Sequence, residues 1–342
     1  MGETRTHVSF RAVLIGFGVA IGVLLVLLYV VGIDRVLAAL AAADPTAVLA
    51  AVAVALLWIV AWSLSLYLVF GILDIAVPFS RAVLVYTNVL FANNVAPFSV
   101  VGAEPVAALF VSRATDTSYE TSFAAVMSVD LLNFLPAPAL AVLGGIYVAV
   151  TSVLGKRIEI VIASLVGLSV VFVIVGYLGW KYRYRLERTA VAVTVSVERR
   201  IESVLPGVRL PAPESIGDRV GEVVTTLDLI AANRRVLSVG LVASTAGWVL
   251  QATVLWLSLF AVGHRVPIEI PLFVAPLVTV TDLVPLPGGV GSVETALILL
   301  LVAVAGVSPT TATAAALVHR GATFLMPLLL GGATTGLVQS SG

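Results

Sequence analysis

The chain has 342 residues, of which 60% are apolar and only 11% charged, and its nineteen basic and nineteen acidic residues cancel to a formal net charge of zero. Long uncharged runs of bilayer-spanning length exclude an ordinary soluble domain. The absence of cysteine excludes a disulfide framework, a thiolate nucleophile and a Cys-ligated metal.

The apolar runs are continuous and rich in Ala, Leu and Val, whereas a transmembrane barrel needs short alternating strands. They predict an all-α, polytopic membrane protein with about six to eight crossings. The first run, 12–32, is too long for the core of a cleavable signal peptide, and Asp34-Arg35 after it offers no small-residue cleavage pattern. It reads as a retained span. Ordinary crossings follow near 46–72, 158–180 and 236–263. Residues 79–151 differ: two apolar pieces flank the break Asn93-Asn94-Val95-Ala96-Pro97, and a further apolar stretch is interrupted at Pro136 and Pro138. Residues 267–307 repeat the broken pattern. Backbone that leaves helical geometry at membrane depth must be buried in protein or line a wet cavity, so re-entrant or discontinuous helix pairs are expected near 80–113 and 268–306.

Between Lys181 and Arg235 lie ten of the nineteen basic residues against seven acidic ones. By the positive-inside rule this stretch is cytoplasmic, and the N-terminus, with Arg5 and Arg11, falls on the same side of a cell membrane. It reads as an insert, 181–235, holding two amphipathic helices. Leu186, Ala190, Val193, Val197, Ile201 and Val204 make one stripe; Ile216, Val220, Val223, Leu227 and Ile230 make another, with Ser215 suited to cap the second helix.

Shifting the sequence by 190 positions superimposes the two broken regions. Pro97 falls on Pro287, Glu104 on Glu294, Ser118 on Ser308, Ala124-Ala125 on Ala314-Ala315 and Phe134-Leu135 on Phe324-Leu325, while Asp130 meets Arg320. The repeat halves are about 46–151 and 236–335 of a single transmembrane domain. If 119–151 crosses once, three crossings separate the two pairs, and an odd number makes the repeat inverted. Interrupted hydrophobic segments at matching positions point to a binding site near the midplane.

Ionisable residues in such segments are costly unless paired or hydrated. Glu104, Asp130, Asp282, Glu294, His319 and Arg320 are therefore candidate site residues, the alternative being internal pairs such as Asp130 with Arg320. Asn94 and Pro97 join them at the first break, and Pro287, Gly288, Gly289 and Gly291 at the second. In Pro285-Leu286-Pro287-Gly288-Gly289-Val290-Gly291-Ser292 the glycines allow close backbone approach, Ser292 can begin the next helix, and its exposed N–H groups would suit a lipid phosphate. Neither a lysine nor a preceding strand makes this a nucleotide loop. The histidines, His7, His264 and His319, lack metal-binding spacing, and no cofactor is expected.

The pattern PLPGGVGSVE, followed by Ser308 and His319-Arg320, resembles the second half of the flippase-like transmembrane domain of the lysylphosphatidylglycerol synthases, the multiple peptide resistance factor family. Asn94 to Glu104 with Asp130 is similar to that family's first signature, although here it reads APFSVVGAEP, less glycine-rich than usual. The resemblance covers roughly 12–335 and implies the stand-alone translocation part, without the aminoacyl-transferase domain. It implies no catalytic residues, membrane lipids as partners, and an aminoacylated phospholipid or lipid-linked sugar as cargo. An envelope glycosyltransferase is a further partner under the other readings, an accessory subunit or a membrane-embedded enzyme of envelope lipid and glycan synthesis. Nucleic acid is not expected as a partner.

Overall fold

A computed structural model describes residues 10–95, 103–151, 213–279 and 286–340, with the single positions 167, 181 and 281. The expected span 158–180, the first amphipathic stripe, Pro97 and Asp282 lie outside the described residues. All regular structure among the described residues is helical.

Helix α1 (Phe10–Val31) ends at Gly32, where a bend of 88° leads into α2 (Ile33–Ala41). Asp44 then caps α3 (Pro45–Ile72): its carboxylate accepts from the Thr46 N–H at 2.8 Å, and Pro45 sits in the first turn, where its missing N–H costs nothing. Helices α4 (Phe79–Val95) and α5 (Ala103–Thr115) flank the first break and pack on each other. Next come α6 (Tyr119–Phe134) and α7 (Ala137–Thr151). They meet at Pro136, yet Tyr119–Val148 qualifies as one 30-residue span.

Helix α8 (Pro213–Ala232) leads into α9 (Arg234–Ala261), capped by the Asn233 side chain. The second broken pair is α10 (Glu269–Val278) and α11 (Ser292–Leu300, continuing as a π-turn over Leu301–Ala305). Helix α12 (Pro309–Arg320), a π-turn at Gly321–Leu325 and α13 (Met326–Ser340) complete the fold. At 1.5 Å per residue α10 is about 15 Å long and α4 about 25 Å, short of a ~30 Å hydrocarbon core, whereas α3 and α9 exceed it. Four described helices are long and apolar enough to cross a membrane, or five if α1 and α2 count as one bent span.

The repeat reaches down to backbone torsions. Asp116 (φ 57°) and Gly306 (φ 65°) leave α5 and α11 in the left-handed region, and Ser118 and Ser308, two residues on, cap α6 and α12 through the Thr121 and Thr311 N–H groups. After α3 and α9 the correspondence is 189: Asp74 (φ 54°) matches Gly263 (φ 84°), and the next N–H, of Ile75 or His264, donates to Phe70 or Leu259 at 2.9 Å. Each half has its own core, with Leu66, Phe70, Val111 and Ala125 in the first at the places of Leu255, Leu259, Leu301 and Ala315 in the second.

Helices α3 and α9, the equivalent long helices, run antiparallel. Asp44 N–H donates to Ala261 O at 2.8 Å at one end, and Trp62 Nε1–H donates to Ser244 O at 3.2 Å further along. Between these helices Trp62 meets Trp58 and Trp248 edge-on, at centroid distances of 5.3 and 5.5 Å, and its ring also lies against Gly247, the position 189 after Trp58. Equivalent helices that pair head to tail about their own equivalent residues are related by an axis perpendicular to them, which is the inverted arrangement. Contacts between the halves are correspondingly reciprocal: α7 packs on α10 and α13 on α4. Both contacts use glycine to bring backbones close, Gly144 against the Phe273 backbone and Gly331 against Thr87 O and Phe91.

The second amphipathic stripe holds in part. Ile230 enters the first-half core and Leu227 packs beside it, with Val224 and Thr226 also buried. Helix α8 opens at Pro213, so Ser215 lies inside its first turn and is not the cap expected from the sequence.

Candidate functional site

The second break is organised by three glycines with positive φ: Gly288 (56°), Gly289 (63°) and Gly291 (89°). Side chains other than glycine pay for such torsions. The resulting turn, Pro287–Gly289, leads directly into the start of α11 at Ser292. Glu294, in the first turn of α11, accepts the Gly291 N–H on Oε2 at 2.6 Å and the Arg320 Nε–H on Oε1 at 2.7 Å. Arg320 also donates through an Nη2–H to Gly288 O at 2.7 Å and lies over the Phe324 ring, 4.4 Å from its centroid. Both ionic side chains are largely buried, 13% and 6% exposed. The Ser292 hydroxyl donates to Gly289 O and that of Thr295 to Gly291 O, closing the loop on itself.

Two sequence expectations change here. At the helix start whose N–H groups were expected to suit a phosphate, the Gly291 N–H is taken by the Glu294 carboxylate three residues on. Arg320 is paired with Glu294 and not with Asp130.

The first break comes to this place from α4. The Asn94 side-chain amide donates to Phe324 O at 3.4 Å, and the Asn94 carbonyl lies where a Cβ on Gly288 would come within 2.9 Å of it. Asn94, Gly288 and Phe324 thus join the two broken regions.

At the first-half positions equivalent to Glu294 and Arg320 stand two acids. Glu104 opens α5, and Asp130 lies on α6, which packs on α5. Tyr86 of α4 is buried. Three residues after Asp130, on the same helix face, Asn133 is 4% exposed, and neither of its amide atoms completes a hydrogen bond. Its backbone carbonyl is held by Ser244 Oγ–H at 2.8 Å and Trp248 Nε1–H at 2.7 Å.

The family model described as the lysylphosphatidylglycerol synthase transmembrane region matches residues 13–331. The chain belongs to this family. Other matches include two UPF0104 membrane proteins of Methanothermobacter thermautotrophicus. One is 27% identical over 340 residues, covering 94% of this chain and 93% of the relative; the other is 26% identical over 281 residues, covering 80% and 78%. A UPF0104 membrane protein of Pyrococcus horikoshii is 25% identical over 327 residues, covering 92% and 93%.

In this lysylphosphatidylglycerol synthase transmembrane-region member, the structure brings Asn94, Gly288, Gly289, Gly291, Glu294 and Arg320 together, while Glu104 and Asp130 lie on the packed helices α5 and α6. His319 is buried beside Arg320, with Nδ1 unpartnered among the described residues. Sequence reasoning missed Tyr86, Asn133 and the role of Phe324. Asn133 carried a signal, an amide three residues from an intramembrane acid. Phe324 carried one too, as the repeat partner of Phe134. Tyr86 carried none, since an aromatic residue on an apolar helix reads as core.

Proposed function

We propose that this protein moves a polar-headed lipid, an aminoacylated phospholipid or lipid-linked saccharide, between the leaflets of the cell membrane. The observation that carries this reading is the meeting of two interrupted helices from oppositely running halves at Asn94, Gly288 and Phe324, with buried charge directly at the junction. Interrupted helices of this kind leave backbone and charged groups where an apolar tail cannot satisfy them and a headgroup can. Membership in a lipid-related membrane family supports the same reading.

In this scheme the headgroup is received among Glu104, Asp130, Glu294 and Arg320 while the acyl chains stay in the bilayer. Arg320 spends its Nε–H and one Nη2–H on Glu294 and Gly288, and its remaining N–H donors face an anionic headgroup oxygen. The two halves then alternate around the site. The chain binds and moves lipid and performs no covalent chemistry; its N-terminus and the 181–235 insert face the cytoplasm.

Leaflet exchange of fluorescent lipids in proteoliposomes tests the proposal, with zwitterionic, anionic, aminoacylated and sugar-linked headgroups. Exchange well above protein-free vesicles for one headgroup, lost in Arg320→Ala and in Glu294→Ala, is expected. Exchange no faster than in empty vesicles for every headgroup, with folded protein, overturns it.

A further inference from the structure

The two halves hold their last helix break differently. In the first half α6 stops short of Pro136, and the carbonyls of its final turn lose their helical partners. One of them, Asn133 O, is gripped from the other half by two side chains of α9: the Ser244 hydroxyl donates to it at 2.8 Å and the Trp248 indole N–H at 2.7 Å. Helix α9 is in turn fastened to α3 by the bonds at Asp44 and Trp62. The break before α7 is therefore tied into the frame of the molecule. Helix α7 carries this hold on to α10, where Gly144 lies against the Phe273 backbone.

In the second half the proline arrives one residue late. Pro327 stands 191 positions after Pro136, and the π-turn Gly321–Leu325 absorbs the additional residue. Helices kink at such turns, which recur at functional sites. At the 189 spacing of the long helices, the α3 residues matching Ser244 and Trp248 are Ala55 and Ile59, and neither side chain can donate. Packing keeps this correspondence: Leu132 lies against Gly240, and its repeat partner Ala322 clusters with Ala51 and Ala55. Phe324 O, in the π-turn, instead receives the Asn94 amide of α4 at 3.4 Å, long for a hydrogen bond. Helix α4 is joined to α13 again further along, where Asn88 Nδ2–H donates to Thr334 Oγ1 at 3.3 Å and Gly331 lies against Phe91 and Thr87 O. Against α3, α4 rests on apolar packing, with Val85, Val89 and Ala92 in one core with Leu66 and Phe70. Such contacts have no direction and let packed helices shear.

We propose that α13 together with α4 forms the gate of the candidate site, turning about the π-turn Gly321–Leu325, and that α7 together with α10 forms its fixed wall, held by the grip of Ser244 and Trp248 on Asn133 O. When the gate turns, Phe324 leaves the face of the Arg320 guanidinium and Asn94 leaves Gly288, so the charged pair opens to a headgroup. Arg320, ahead of the π-turn, stays with Glu294 and Gly288. Asn94 is the latch and Phe324 the lid. As a gate for lipid the inference rests on the transport reading and deepens it: the alternation is carried by one pair of helices and not shared equally between two.

The chain has no cysteine, so paired cysteine substitutions place two nitroxide spin labels without background. Val242, Leu143 and Leu329 are exposed positions on α9, α7 and α13. In the full chain in detergent micelles, distances from Val242→Cys to Leu143→Cys are expected to form a single narrow population, and those to Leu329→Cys two. Asn94→Ala frees Phe324 O and is expected to shift the ratio of the two α13 populations about fivefold, the effect of one hydrogen bond, with the α7 distance unmoved. Ser244→Ala with Trp248→Phe is expected to do the reverse and give the α7 pair a second population. The two sets of variants touch different breaks, so a failure of one to fold leaves the other as the test. Two populations for the α7 pair in the otherwise unaltered protein overturn the proposal. So does an α13 distribution that Asn94→Ala leaves unchanged, or an α7 distribution that the double variant leaves unchanged. Leaflet exchange is scored separately: two α13 populations without exchange would keep the hinge and overturn the transport reading, and exchange with an unmoving α13 would do the converse.

Discussion

Arg320→Met removes the guanidinium that neutralises Glu294 while keeping most of the side-chain volume. Glu294 is 6% exposed, and its Oε1 loses its only charged partner among the described residues while Oε2 keeps the Gly291 N–H. Breaking a buried ion pair by removing one partner costs about 3–5 kcal/mol, and the loss of the donor to Gly288 O adds about 1 kcal/mol. The companion Glu294→Gln, which can still accept from Gly291, strands the arginine instead. In the double variant no unpaired charge remains, so the coupling energy of the cycle should be on the order of 2 kcal/mol in favour of the pair. Equilibrium unfolding in mixed detergent micelles, followed by tryptophan fluorescence, suits the measurement because Trp58, Trp62 and Trp248 cluster between α3 and α9. A cost below about 1 kcal/mol for Arg320→Met, or costs that simply add in the double variant, would refute the view that this pair is buried and coupled.

Gly288→Ala places a methyl group against Phe324 and the Asn94 carbonyl at a positive φ; a loss of about 2–4 kcal/mol from strain and crowding is expected in the same unfolding assay, together with lost leaflet exchange. Gly306→Ala meets no neighbouring atom, so only the backbone term of about 1–2 kcal/mol should appear. The equivalent Asp116→Gly should be neutral or stabilising by up to about 1 kcal/mol, because there the native residue carries that cost. The absence of cysteine lets topology be read directly: Asp74→Cys and His264→Cys, both exposed at the ends of antiparallel equivalent helices, should react with an impermeant maleimide from opposite sides of the membrane. Labelling from the same side would refute the inverted arrangement.

The helical class, the second break and the long helices α3 and α9 were legible because bilayer thickness and continuous apolar runs leave few alternatives. The repeat was legible in paired prolines, glutamates and capping serines, and the structure extends it to torsions at Asp116 and Gly306 that no residue identity advertises. Orientation of the halves depended in sequence on counting crossings, which turned on Pro136 and Pro138. The head-to-tail contacts of α3 with α9 support the inversion without counting. The site was half legible: Glu294 and Arg320 were both singled out, but their pairing was not, since Asp130 was an equally charged alternative on paper. What decided it was distance along α11 and α12, a tertiary fact. Asn133 was overlooked because an amide looks ordinary until its partners are missing.

For the proposed transport cycle, the exchange of Asp130 for Arg320 bears on the energetics of both end states. In a machine made of two identical inverted halves, the states open to either side are obtained by swapping the halves' conformations, and they are degenerate by construction. Placing an acid in one half where the other has a base removes that degeneracy. One face then becomes the resting face, favoured about tenfold for each ~1.4 kcal/mol by which the two half-environments differ. Under the proposed transport reading, an empty carrier waits on one side of the bilayer, and a headgroup that settles beside Asp130 resets where it waits.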